Sequence, residues 1–222
     1  YDCLELTDED VLSVYSLLPS NQIEEFNLSI SADCVEAMTI TGYFEGLKEL
    51  ELSASDATGI SGFTNLDSIT EGRMRLTIPN MSELPNFESL VHIEDDFRLA
   101  VNNQLEWQLE NLNGLNALQT IGGDLRIGFG GGIGGEFFTS LSGLEGLISV
   151  GGAVRLARLE ALSDASALNN LVSAEELIFE DLEALRSPPE MSSLISCQEI
   201  RMDETGLTIL PDFPSLTTLN GD

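Results

Sequence analysis

Apolar residues along this chain fall into one recurring frame. Residues 118–127 read Leu-Gln-Thr-Ile-Gly-Gly-Asp-Leu-Arg-Ile, residues 147–156 read Leu-Ile-Ser-Val-Gly-Gly-Ala-Val-Arg-Leu, and residues 90–99 read Leu-Val-His-Ile-Glu-Asp-Asp-Phe-Arg-Leu. The shared pattern is Leu-x-x-Ile, a spacer of two to four residues, then apolar-x-apolar. Looser copies begin at Leu66, Leu171 and Leu194 and a stub begins at Leu216, so successive units start between 22 and 29 residues apart. A period in this range marks a repeat architecture, in which each unit buries its apolar side against its neighbours. Each unit predicts two short strands, one at Leu-x-x-Ile and one at apolar-x-apolar. Gly122-Gly123 and Gly151-Gly152 mark a tight bend between them. Connections carrying Leu and Pro follow, as at Leu84-Pro85 and Leu210-Pro211. Stacking such units places like strands side by side as parallel sheets around one core.

The start of the chain has a different period. Over residues 7–18, Val11, Leu12, Tyr15 and Leu18 share one helical face, Thr7 and Asp10 resemble a capping box, and Pro19 lies just past the end. This predicts a helical cap over residues 1–21, covering the first coil. Residues 22–65 read as degenerate coils, with alternation at Phe26, Leu28 and Ile30 and again at Met38 and Ile40. Residues 66–219 hold the clear repeats. The expectation is one elongated domain spanning residues 1–222.

These residues resemble the receptor L-domain family, a relative of the leucine-rich repeats. The likeness rests on residues 118–127 and their copy at 147–156, and on the lead-in Leu-Ser-Gly-Leu-Glu-Gly-Leu at 141–147. It covers roughly residues 45–219. It implies an α/β, leucine-rich-repeat-like fold, a right-handed solenoid of short parallel strands with the helix as N-terminal cap. It also implies an extracellular or cell-surface protein, secreted or anchored, that binds a protein or glycan partner. The chain lacks the additional disulfides and Cys-rich neighbours of the receptor examples, which points away from a growth-factor receptor and towards a prokaryotic surface or secreted protein.

Charge narrows the partners. The chain carries 38 acidic and 9 basic residues, a net charge of −29, which repels nucleic acid phosphates and anionic lipid heads. No apolar run reaches the roughly 18–20 residues that span a bilayer. The acidity reads as solubility, with cation or basic-partner binding as the sharper alternative. A monomer is expected.

Candidate chemistry concentrates at a few places. In the second strand of each unit the residue between the two apolar positions faces outward. In successive units it is Arg75, Arg98, Arg126, Arg155, Ile178 and Arg201. Two residues earlier on the same face stand Asp96, Asp124, Glu176 and Glu199. This reads either as an exposed arginine ladder compensated by carboxylates, or as a binding face that offers forked donors to anionic or glycan groups. The two longest units carry extra residues that predict loops, with Trp107, Phe129, Phe137 and Phe138 as anchors for a ligand or as residues that tuck the loops onto the coil. Cys3 and Cys34 could close a disulfide over the cap, while Cys197 takes the Ile position of a repeat and is expected to be buried.

Catalytic patterns are missing. His92 is the single histidine and sits inside a repeat, no Gly-x-Ser-x-Gly occurs, and no carboxylate pair stands out from the rest. Neither Asp95-Asp96 nor Asp203-Glu204 has calcium-loop spacing. The cysteines do not have zinc spacing, and the Gly run at 130–135 lacks the Lys-Ser/Thr of a phosphate loop. The expectation is a non-enzymatic binding or adhesion module without cofactor or metal. The alternatives are a structural spacer of a larger surface protein and a carbohydrate-active enzyme on the same coil.

Overall fold

The computed structural model describes residues 25–30, 38–39, 46–54, 60–100, 107–128 and 136–219. The predicted helix over 7–18, Cys3, Cys34 and Phe129 lie outside the described residues.

The two strands expected of each unit sort into separate sheets. The apolar-x-apolar strands form a wide sheet of eight: Glu25–Ile30, Glu49–Ala54, Met74–Thr77, Phe97–Ala100, Leu125–Gly128, Ala153–Ala157, Glu176–Leu182 and Glu199–Thr205. They pair in chain order and all in parallel. The Leu-x-x-Ile segments form a narrow sheet of five: Gly46–Leu47, Ser68–Ile69, His92–Ile93, Thr120–Ile121 and Ser149–Val150, again parallel and in chain order. Single bridges from Ser149 to Ser173 and from Ser173 to Ser196 extend this line to the pair Ser196–Cys197 and Thr218–Leu219. The unit at Leu171 thus forms only bridges where the others form a strand.

One apolar core lies between the two sheets. The first leucine of each unit, from Leu66 to Leu194, has no exposed surface, and neither do Phe97, Leu99, Leu125 and Ile127 of the wide sheet. Cys197 is 1% exposed and its thiol is free, as its place in the repeat predicts. Burial pushes the thiol pKa up, so it behaves as a small apolar side chain.

The described residues are parallel β with one five-residue 3-10 segment, Ser166–Asn170, and contain no α-helix. The α/β class is corrected to β for these residues. The reason lies in the spacing of the connecting leucines. Leu109, Leu112, Leu115 and Leu118 are all buried at intervals of three. The backbone answers with i to i+3 hydrogen bonds, Leu115 N–H to Leu112 O at 3.1 Å and Leu118 N–H to Leu115 O at 2.9 Å. Leu141, Leu144 and Leu147 repeat the same geometry. A period of three fits tight turns that return every leucine to the core, whereas an α-helix would rotate the stripe away.

Candidate functional site

The outward column of the wide sheet is in register. Arg75 pairs with Arg98, Arg98 with Arg126, Arg126 with Arg155, Arg155 with Ile178 and Ile178 with Arg201. Stacked cations are unfavourable unless compensated, and carboxylates lie beside them. Arg98 Nε donates to Asp96 Oδ2 at 3.1 Å and Arg126 Nε to Asp124 Oδ2 at 2.9 Å, with a second donor of each guanidinium on the same oxygen. Arg75 lies 3.7 Å from Glu51, and Arg201 lies 3.6 Å from Glu199 and 4.0 Å from Glu180. Ile178 is fully buried and yet stands outside the core cluster, in line between Arg155 and Arg201. Long cationic side chains on neighbouring strands cover such a residue with their aliphatic stems.

The carboxylates have a second task that the sequence pattern does not disclose. Asp96 Oδ1 accepts the backbone N–H of Asp124 at 2.8 Å, and Asp124 Oδ1 accepts that of Ala153 at 2.7 Å. Each aspartate therefore holds its own arginine with one oxygen and fastens the next unit with the other. The glycines make room for this. A Cβ on Gly123 would strike the Asp96 carboxylate, one on Gly152 the Asp124 carboxylate, and one on Gly122 or Gly151 the carbonyl of the preceding unit. Burial alone would push the Asp96 carboxyl up. The Asp124 N–H and the Arg98 guanidinium outweigh it and hold Asp96 below its ordinary value.

At the C-terminal ends of the wide sheet's last three strands another column bends the chain. Arg158, Asp181 and Glu204 all adopt left-handed φ, at 58°, 55° and 49°. Arg158 Nε lies 3.6 Å from Asp181. Glu204 has the Asp181 carboxylate as its neighbour and is raised above its ordinary value, by the hydrogen bond to Asp181 first and then by the charges of Asp181, Asp203 and Glu183.

The narrow sheet presents a different outer face. In Leu-x-x-Ile the Leu and Ile are buried and both intervening positions are turned out. The second of these forms one line in register: Ser68, His92, Thr120, Ser149, Ser173, Ser196 and Thr218. Beside it runs a line that includes Val91, Gln119, Ile148, Val172 and Ile195. Val91, Ile148 and Ile195 are 39%, 44% and 48% exposed. From Val91 to Thr218 these two lines contain no carboxylate and no Lys or Arg. His92 is held at both ring nitrogens, Nδ1 at 2.6 Å from Thr120 Oγ1 and Nε2 at 2.9 Å from Glu94 Oε2. The tautomer with its proton on Nε2 satisfies both contacts.

The aromatic anchors separate. Trp107 and Phe138 are 2% and 1% exposed and belong to the core, whereas Phe137 is 45% exposed. For Trp107 and Phe138 this burial matches the reading in which they tuck their connections onto the coil. A polar groove of about 600 Å³ lies between the connections at 82–88 and 110–116, lined by Asn86, Asn111, Asn113, Asn116 and the carboxylates of Glu83, Glu88 and Glu110. Three of its carboxamide oxygens are turned to the local backbone: Asn86 Oδ1 accepts from Glu88 N–H, Asn111 Oδ1 from Asn113 N–H and Asn116 Oδ1 from Gly114 N–H, at 3.0–3.1 Å. These side chains set the connecting turns. Among the described residues no group of three or more His, Cys, Asp or Glu is placed to hold a metal ion, and no helix is long and apolar enough to cross a membrane.

Comparison with protein-family models, curated proteins and solved structures finds no match to this chain.

Proposed function

We propose that the chain is a right-handed solenoid of the receptor L-domain, leucine-rich-repeat-like kind, and that it works outside the cell as a non-enzymatic binding module for a protein or glycan. The observation that supports this reading is the in-register repetition of outward side chains on two rigid parallel sheets. Such a scaffold offers an extended, preformed surface, and a preformed surface lowers the ordering cost of binding. The arginine row is the charged candidate face. In Arg98 and Arg126 the guanidinium is already engaged by the aspartate just before its own strand, which favours the narrow sheet for the ligand.

An immobilised array of glycans and extracellular proteins tests the reading, with the wild type beside the triple variant Arg98→Ser, Arg126→Ser, Arg155→Ser. The expected result is a specific hit that the triple variant retains. A hit lost in that variant moves the contact to the wide face. Capture of the chain by nothing on the array removes the binding-module reading in favour of a structural spacer. Turnover of an ester or glycoside that disappears in His92→Gln replaces it with an enzymatic one.

A further inference from the structure

The narrow face differs from the rest of the surface in three ways, all visible in the residues that fill it. From Val91 to Thr218 its two outward lines carry no carboxylate, Lys or Arg, although the chain carries a net charge of −29. It sets branched aliphatics beside hydroxyls at three successive levels of the stack, Ile148 beside Ser149, Val172 beside Ser173 and Ile195 beside Ser196. Its hydroxyls are also available. Ser149, Ser173, Ser196 and Thr218 make no side-chain hydrogen bond to the described residues, and none of them has an interaction beyond those described. By contrast, Thr120 is engaged by His92 and Ser68 by Asp67.

We propose that this face binds a neutral, hydroxyl-rich polysaccharide presented as an ordered surface. The inference rests on the binding-module reading and names the ligand class for it. Levels of a parallel sheet repeat at about 4.8 Å, so the face offers the same pair of groups at three successive levels along one direction. A partner that uses every level must itself repeat, as a polymer does and a globular protein does not. Sugar rings carry C–H faces and hydroxyl edges. The aliphatic line takes the first by apolar contact, and the free hydroxyls of the second line exchange hydrogen bonds with the other. The net charge of the chain disfavours an anionic polymer and a second copy by repulsion, while a neutral polymer meets no such barrier. Individual contacts of this kind are weak, and their repetition along one rigid scaffold supplies the avidity.

The test is depletion of the protein from solution by microcrystalline cellulose and by chitin powder. Four proteins are compared: the wild type, Ile148→Asp/Ile195→Asp, Ser149→Ala/Ser196→Ala, and Leu210→Asp. The last places the same charge on an apolar residue that is 86% exposed and lies off the face. Unfolding curves establish that all four are folded. The proposal expects depletion of the wild type and of Leu210→Asp by at least one polymer, undiminished by salt because no counterions are released. Binding by Ile148→Asp/Ile195→Asp should fall at least tenfold, and Ser149→Ala/Ser196→Ala, which removes two hydroxyls without adding bulk or charge, should also bind more weakly. Equal depletion of the wild type and both face variants overturns the assignment, as does a soluble oligosaccharide that the face variants still bind. If neither polymer depletes the wild type but an array protein captures it, the ligand class fails and the binding-module reading stands. If nothing captures it in either experiment, both fail.

Discussion

The two sheets carry outward columns built by the same repeat, and they end in opposite states. On the wide sheet, charge is stacked on charge, so Arg98 and Arg126 are answered by Asp96 and Asp124 within their own units. On the narrow sheet, Ser149, Ser173 and Ser196 stack without electrostatic cost and without internal partners. The comparison teaches that a conspicuous row of charge can be occupied by the fold itself. A row of modest neutral residues stays open because nothing in the fold requires it.

Four measurements break or sharpen that contrast. The largest effect belongs to the corner that joins the two faces. Gly151→Ala drives a methyl group onto the Gly122 carbonyl oxygen. It should cost about 3 kcal/mol or more, the upper end of ordinary single substitutions. A urea midpoint equal to wild type would show that the units are not packed this closely. Next comes the wide face. Asp124→Ala leaves the Ala153 N–H without its acceptor and should cost roughly 1–3 kcal/mol. Arg126→Ser, at an exposed ion pair, should cost about 1 kcal/mol or less. Equal losses in denaturant titration would mean that the ion pair, and not the carboxylate bridge between units, holds the face together.

The third measurement uses acid. Asp96 has a folded pKa below its ordinary 3.8, so its contribution is complete above that value and is lost as pH falls through the lower, folded one. Wild type should therefore exceed Asp96→Asn in stability at neutral pH and converge with it in acid. Glu204 is raised above its ordinary 4.5, and its sign is opposite: the contribution is present below 4.5 and is lost as pH rises through the folded value. Glu204→Gln should be the more stable protein at neutral pH, with the gain vanishing in acid. Parallel pH profiles for wild type and either variant would contradict the shift concerned. The smallest effect is expected on the narrow face, where Ser149→Ala and Ile148→Ser should change stability by no more than about 0.5 kcal/mol. A larger loss would show that this face is part of the fold's own support.

The repeat period, the two strands per unit and the arginine register were legible because they follow from alternation and spacing. Cys197 was legible for the same reason, as it stands where the other units have Ile, Val, Ala or Leu. The second oxygen of Asp96 was not, since a carboxylate beside an arginine looks complete in one dimension and its other partner is 28 residues away. The signal that could have found it is Gly123 directly before Asp124, one unit on. The narrow face was passed over because its residues fill the x positions of Leu-x-x-Ile, which a search for the apolar frame discards. Trp107 and Phe138 stood between two readings because an aromatic next to an insertion looks the same in sequence whether it leaves the coil or anchors it.

The aspartate–glycine bridge gives the stack a grammar. The unit beginning at Leu90 supplies a carboxylate at Asp96 but has Glu94-Asp95 where a receiving pair of glycines would stand. The unit beginning at Leu118 both receives, through Gly122-Gly123, and supplies, through Asp124. The unit beginning at Leu147 receives through Gly151-Gly152 and offers only Ala153. One opens the phrase, one can be repeated, and one closes it. In-frame duplication of residues 118–146 should therefore lengthen the protein by a whole coil. Exchanging the first and third units should leave a carboxylate facing a residue that has no room for it, so growth of this molecule by duplication has a permitted place and a direction.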